Sequence, residues 1–158
     1  MKGRDMDKKS LLVVQANLQR KDAATTELIM EGQSRKVAVA MVQEPYVGRE
    51  GKMKNYGCTR IFQFVGKAEK VVKAAIVLFD PNTDATLCPD LTTPNIVVVK
   101  AKTHEQDVHL VSFYFEPTPT PIEPYLNEIR KIWKSVGPNV IFAGDANAKS
   151  DLGGKDYG

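Results

Sequence analysis

A chain of 158 residues with 42% apolar side chains is long enough for one packed domain and too apolar to be a disordered one. Its 22 basic and 19 acidic residues leave a net charge of +3, which permits nucleic-acid binding but excludes the strongly basic balance of a DNA-coating protein. The two cysteines, Cys58 and Cys88, form neither a disulfide framework nor a zinc site; both stand in apolar, strand-like stretches and read as reduced core thiols of an intracellular protein.

Residues 1–9 are charged and read as a disordered N-terminal tail, and residues 10–158 as one domain. No apolar run is long enough for a signal peptide or a membrane span. Leu11–Val14 is β-rich and apolar, a buried strand leading into Gln15-Ala16-Asn17. Asp22 has the chemistry of a helix N-cap, and Ala23–Ser34 follows as a helix with Leu28 and Ile29 inward and Gly32 at its C-terminal stop. Val37–Val42 is a continuous apolar run, the pattern of a strand covered on both faces, and it enters Gln43-Glu44-Pro45 directly. Tyr46–Tyr56 is rich in glycine and charge and reads as a loop.

Thr59–Val65 and Lys73–Phe79 read as strands, with a turn at Asp80–Asp84. Ile96–Ala101 and Val108–Phe115 form a hairpin through the polar turn Thr103–Asp107. The proline-rich Pro117–Pro121 is extended, a crossover inside one fold because neither side of it has a complete core. Beyond it Leu126, Ile129, Ile132, Trp133 and Val136 share one face of a helix that Gly137-Pro138 stops. Asn139–Ala143 is the last buried strand and ends in Gly144-Asp145-Ala146-Asn147. The arrangement predicts packed sheets with helices on their outer faces.

Three of these apolar strands end in polar groups of one kind: Asn17, then Glu44, then Asp145 and Asn147. Oxygen donors at the tips of buried strands suit a hard cation such as Mg²⁺, which takes one or two carboxylates and keeps several waters. Each element alone has a plainer reading. A Glu before Pro is commonly a solvated strand end, and Gly-Asp-x-Asn is commonly a turn bonded to its own backbone. Four such groups in this order make coincidence a poor account. Around Glu44, the loop residues Tyr46, Arg49, Lys52, Lys54 and Tyr56 interleave cations with aromatics, a pattern suited to phosphate contacts and to base or sugar packing, and also to an ordinary solvated loop. Lys67, Lys70 and Lys73 form a second basic cluster that reads as a solvated sheet edge.

The series Gln15-Ala16-Asn17, Val42-Gln43-Glu44-Pro45, Val111-Ser112-Phe113-Tyr114 and Gly144-Asp145-Ala146-Asn147-Ala148-Lys149-Ser150 resembles the exonuclease–endonuclease–phosphatase superfamily, which includes DNase I and the apurinic endonucleases. More closely it resembles the endonuclease domains of insect site-specific, TRAS-like non-LTR retrotransposons. The resemblance implies an α/β fold, a four-layer sandwich of two packed mixed sheets flanked by helices. It implies a nuclear, Mg²⁺-dependent DNA endonuclease, with Mn²⁺ as the alternative ion. Such an enzyme nicks target DNA to leave a 3′-hydroxyl that primes reverse transcription, and is fused to a reverse transcriptase. Glu44 would be the principal metal ligand with Asn17 beside it. Asp145 would orient or activate water, Asn147 would hold water or phosphate, and Tyr114 would contact the scissile phosphate. From its strand position alone, Tyr114 reads equally well as a structural residue.

The family's pattern continues into a late Asp and a Ser-Asp-His segment. Nothing after Asn147 supplies them, and His104 and His109 lie in or beside the upstream hairpin. The chain therefore reads as the N-terminal portion of such a domain, C-terminally incomplete, whose catalysis in isolation is in doubt. The alternatives are a phosphoesterase of the same superfamily acting on lipid, inositol or RNA phosphodiesters, and a non-catalytic DNA-binding fragment.

Overall fold

The computed structural model describes residues 11–66 and 70–148, so the expected tail 1–9, Lys67, and the end of the Asn147–Ser150 motif lie outside the described residues. The elements in chain order are β1 (Val13–Asn17), α1 (Asp22–Ser34), β2 (Val39–Gln43), β3 (Arg60–Phe62), β4 (Ala74–Leu78), β5 (Asp84–Leu87), a 3-10 turn (Pro89–Leu91), β6 (Ile96–Lys102), β7 (Asp107–Tyr114), α2 (Glu123–Val136) and β8 (Val140–Asp145). Among the described residues they build two four-stranded sheets, ordered β1-β2-β4-β3 and β5-β6-β7-β8. Both sheets are mixed. β1 runs parallel to β2 and β7 parallel to β8, and every other pairing is antiparallel.

The period of two along a strand explains the layers. On β2, Val39 and Met41 face the second sheet, and they join Phe62, Ala74, Ile76 and Leu78 against Val97, Val99, Ala101 and Leu110. Ala40 and Val42 face outward, where α1 covers them with Ile29 beside Leu18, Val77 and Phe79. The opposite outer face, with Ile96, Val98, Val111 and Phe115, is covered by α2 through Ile132. The result is helix, sheet, sheet, helix. A strand in the middle of such a stack has no polar face, which is why Val37–Val42 shows no alternation.

Several expectations are corrected. Gly32 does not stop α1; it sits within the helix, buried against the Phe79 ring, where a Cβ would collide with the ring carbons. Lys21, not Asp22, occupies the N-cap, and Asp22 stands in the first turn, where its charge meets the positive end of the helix. Trp133 does not share the inward face of α2. Successive helical residues point about 100° apart, so with Ile132 fully buried Trp133 is 58% exposed and stacks on Phe142 at 6.0 Å. The last strand is not buried on both faces: β8 lies at the edge of its sheet, and Ile141 is 42% exposed. Cys58 is no core thiol. It is exposed at φ 64° in the turn before β3, while Cys88 is half-buried.

Gly144 has a specific structural reason. It pairs with Phe113 across β7 and β8, and a Cβ there would strike both the Phe113 carbonyl and its ring. Replacing Gly144 with Ala is therefore expected to prise β8 from β7 and destabilise the domain by about 1–3 kcal/mol, the usual cost of overpacking. Urea unfolding of Gly144→Ala beside Ala143→Gly checks this; an unchanged midpoint in the first variant would contradict it.

Candidate active site

Parallel pairing brings the strand ends together. Asn17 closes β1 in register with Gln43, the last residue of β2. Tyr114 closes β7 in register with Asp145, the last residue of β8. The C-terminal ends of the two parallel pairs lie at the same end of the sandwich, and the Asn17 side-chain amide donates to Asp145 Oδ2 across the sheets at 3.0 Å. The predicted polar tips are thus one cluster.

Its members are connected. Asp145 Oδ1 accepts the Asn147 backbone N–H at 2.9 Å, and the Asn147 amide donates to the Phe115 carbonyl at 2.8 Å. Asn17 Oδ1 accepts the Gln19 N–H at 2.9 Å. The Tyr114 hydroxyl lies near the Glu44 carboxylate and the Asn147 side chain. Two residues of the cluster are in the left-handed region, Glu44 at φ 48° and Asn147 at φ 46°. Asparagine tolerates that conformation through local hydrogen bonds, whereas glutamate gains nothing from it. Glu44 is fixed there from both sides: its N–H donates to the Lys73 carbonyl at 2.7 Å, and its own carbonyl accepts Arg20 N–H at 2.8 Å.

Tyr114 is buried, with 6% of its surface exposed. Burial first, then the hydrogen bond to Glu44 and its charge, push the phenol up to about 12. It is therefore a neutral hydrogen-bond donor over the whole working range of pH. Glu44 and Asp145 are half-buried carboxylates and Asn17 is exposed. Among the described residues no three His, Cys, Asp or Glu side chains converge. The polar oxygens of the cluster are those of two carboxylates, Glu44 and Asp145, and of the Asn17 and Asn147 amides.

The loop residues are placed unequally. Arg49 and Lys54 are exposed, and Tyr46 is half-buried with its N–H donating to Thr25 Oγ1 at 3.0 Å, which ties the loop to α1. Lys52 lines a shallow depression with Glu50, Gly51, Phe64, Lys70 and Val72. Tyr56 turns inward: its ring packs on the core under α1 and its hydroxyl is buried without a hydrogen-bond partner. Only its ring face reaches outward, where Lys54 Nζ lies 5.2 Å from the centroid.

Sequence reasoning missed the supports. Gln43 is fully buried, and its amide donates to Ser112 Oγ at 3.1 Å while accepting from Gln15. Ser112 donates onward to the Val42 carbonyl at 2.9 Å. Lys73 is the larger correction. It is not a solvated edge but 6% exposed, with Nζ 3.7 Å from Glu116 and 5.5 Å from the centre of the Tyr114 ring. Regular spacing in the lysine run concealed it; the apolar residues that follow, Ala74–Leu78, were the available signal.

No protein-family profile and no curated protein matches the chain. Among solved structures it is similar to the endonuclease domain of TRAS1, a telomere-specific non-LTR retrotransposon, at 48% identity and TM-score 0.77, covering 89% of this chain. The chain spans 61% of the length of that structure. A humanized D. rerio TDP2 shares the fold at 18% identity and TM-score 0.61, over 94% of this chain and 68% of its own. So does an endonuclease/exonuclease/phosphatase family protein from Leptotrichia buccalis, at 14% identity and TM-score 0.52, over 87% of this chain and 67% of its own. Two mixed sheets between helices, with the polar cluster at the ends of their parallel pairs, are the exonuclease–endonuclease–phosphatase fold. Within it the chain is homologous, over the part it spans, to the endonuclease domain of the TRAS1 non-LTR retrotransposon.

The Tyr114 environment has a pH consequence. The phenol ionises near 10 when the chain is unfolded and at about 12 in the fold. The fold holds the proton more tightly, so this contribution to stability is whole below pH 10 and is lost as pH rises through the folded value. In metal-free protein, the unfolding midpoint is expected to fall across that window more steeply in the natural chain than in Tyr114→Phe. Parallel curves would contradict the placement of the hydroxyl.

Proposed function

We propose that this chain forms the metal-binding and water-orienting portion of a DNA endonuclease that nicks target DNA for a non-LTR retrotransposon. The observation that carries the reading is the gathering of Asn17, Glu44, Tyr114, Asp145 and Asn147 at a single end of the sandwich, with Asn17, Asp145 and Asn147 hydrogen-bonded to one another. This homology supports it, because the similar TRAS1 structure is by its description an endonuclease domain.

Hydrolysis to a 3′-hydroxyl forms a bond from a water oxygen to phosphorus and breaks the bond from phosphorus to O3′, with a proton passing to the leaving oxygen. A divalent cation, Mg²⁺ or Mn²⁺, would be held by Glu44 with Asn17 beside it, and when bound it supplies positive charge to the phosphate oxygens. A carboxylate and an amide oxygen are hard donors of the kind such an ion takes. Asp145 orients the attacking water and accepts its proton. Its two oxygens are held by Asn17 and by the Asn147 N–H, so the carboxylate cannot swing. Tyr114 remains a phenol and donates to a phosphate oxygen, and Asn147 completes the hold on phosphate or water. DNA approaches over the Tyr46–Tyr56 loop, where Arg49, Lys52 and Lys54 meet phosphates and Tyr46 offers a ring face; Tyr56 acts by holding Lys54. Fusion to a reverse transcriptase that uses the 3′-hydroxyl, in a nucleus, belongs to the same reading.

The chain completed with the remaining portion of the TRAS1 domain, assayed for nicking of supercoiled plasmid, tests the chemistry. Glu44→Gln is expected to weaken Mg²⁺ binding and cut activity severely, and Asp145→Ala to cut turnover with less effect on metal affinity. Each loss should be ~10²–10⁴ in rate, as for a positioned catalytic group. Full activity of Glu44→Gln at limiting Mg²⁺ would remove Glu44 from the site.

DNA binding is separable from turnover. Removing any one phosphate-binding cation among Arg49, Lys52 and Lys54 should reduce the slope of log affinity against log salt by about 0.9, equally for all sequences. Binding by the triple Ala variant across a salt series checks this, and an unchanged slope would return the loop to ordinary solvated surface.

A further inference from the structure

Lys73 is the one lysine among the buried polar residues of the described structure. Lysine is among the residues least often fully buried, because its ammonium must be desolvated unless it is paired. The neighbouring strand residues Ala74, Ala75 and Ile76 are wholly buried apolar groups. A buried ion pair is weak evidence for stability, because replacing both partners by apolar residues commonly costs little. The charge of Lys73 therefore calls for a reason other than stability.

Lys73 meets the active cluster through its side chain and through its backbone. Its ammonium pairs with Glu116 at 3.7 Å and lies 5.5 Å from the centre of the Tyr114 ring. Glu116 also accepts from the Asn95 amide at 3.4 Å, and the same amide donates to the Tyr114 carbonyl at 2.9 Å. The backbone N–H groups of Lys73 and Ala74 both donate to the Pro94 carbonyl, at 2.8 and 3.1 Å. The Lys73 carbonyl in turn receives the Glu44 N–H. One residue thus touches the Tyr114 ring with its side chain and the Glu44 backbone with its main chain.

We propose that Lys73 is a positioning residue for Tyr114. Its ammonium, anchored by Glu116, holds one face of the phenol ring so that the hydroxyl stays aimed between Glu44 and Asn147. A cation placed over an aromatic face is attracted by the ring quadrupole, more strongly when desolvated. The contact fixes the ring plane, and the Tyr114 carbonyl, held by the Asn95 amide, fixes the backbone that carries the ring. Lys73 does not itself meet DNA phosphate, because its charge is already committed to Glu116 and to the ring. The role assigned to the aimed hydroxyl rests on the proposed nuclease reading; the clamp itself does not.

The test uses the chain as it is and reads Tyr114 without requiring nuclease activity. Tyrosine hydroxyls are acetylated with N-acetylimidazole and the rate at each tyrosine is read by peptide mass, with Tyr46 and Tyr125 as internal references. Lys73→Met is expected to stay folded and to expose the Tyr114 hydroxyl, raising its acetylation several-fold while the reference rates hold. Lys73→Arg keeps the cation and should restore protection. If Lys73→Met fails to fold, Glu116→Gln releases the anchor and should raise Tyr114 acetylation in the same way. Unchanged protection of Tyr114 in a folded variant that lacks the charge would overturn the proposal. DNA binding across a salt series gives a second measure. The slope for Lys73→Met should match that of the natural chain, and a slope lower by about 0.9 would make Lys73 a phosphate contact instead. If the natural chain binds no DNA, the nuclease reading suffers while acetylation still decides the clamp.

Discussion

The open end of the sandwich depends on how one buried amide is satisfied. Gln43 ends β2, immediately before Glu44, and none of its side chain is exposed. Leaving such a group unpaired costs about 1–3 kcal/mol, enough to matter in a domain of this size. Its partners come from both sheets: Gln15 on β1, Ser112 on β7 and, at 3.5 Å, the Ala143 carbonyl on β8. An apolar interface between sheets tolerates sliding, because any well-packed offset buries similar area. A buried amide does not, since its donors and acceptors have direction. Gln43 therefore fixes the offset that lets Asn17 meet Asp145 one step nearer the surface.

The frame was largely legible because the apolar patterns are strong. Continuous runs at Val37–Val42 and Lys73–Phe79 became β2 and β4, at the centre of the first sheet. The hairpin became β6 and β7, and the helix beginning near Pro124 became α2. The short β5 and the turn at Pro89–Leu91 were not legible, since their partner is β6 rather than anything local. The candidate site was legible as a set of strand ends, because four polar tips in series are a poorer coincidence than any one of them, which alone reads as a solvated end or a turn. Its supports were not. Gln43 and Ser112 read as ordinary polar residues, and Lys73 vanished into a run of lysines. Burial of a polar group is decided by what packs over it from distant segments, and that information is not local.

Strain marks the same place. Glu44 is held in the left-handed region by hydrogen bonds from its N–H and to its carbonyl, and those partners belong to β4's entry and to the turn after β1. Gln19 and Arg20 in that turn share the conformation, at φ 52° and 58°. Such residues cost of order 1–3 kcal/mol each and persist only where the surroundings over-determine them. Extended backbone after Gln43 would have continued the strand and carried the carboxylate to the opposite face. The left-handed step instead turns the chain at once, so that Glu44 stays at the rim with Tyr114 and Pro45 is buried behind it.

Charge is distributed to match. The cluster holds Tyr114 as a neutral phenol, and Lys73 with Glu116 forms a neutral pair beside it. Among the described residues Glu44 and Asp145 have no ion-pair partner, and two such carboxylates at one rim favour a cation there over a bare phosphate. Cations that meet a polyanion must therefore stand outside that ring, and Arg49 and Lys54 do, exposed on the loop that leaves Glu44. A chain with a net charge of only +3 can in this way present an attractive face to DNA, because the approach is governed by where the charges stand and not by their sum. On the proposed nuclease reading, the same segregation would make metal and DNA mutually dependent ligands: a bound cation would neutralise the rim that a phosphate must enter, and the phosphate would supply oxygens that the sparse donor set of the protein leaves open.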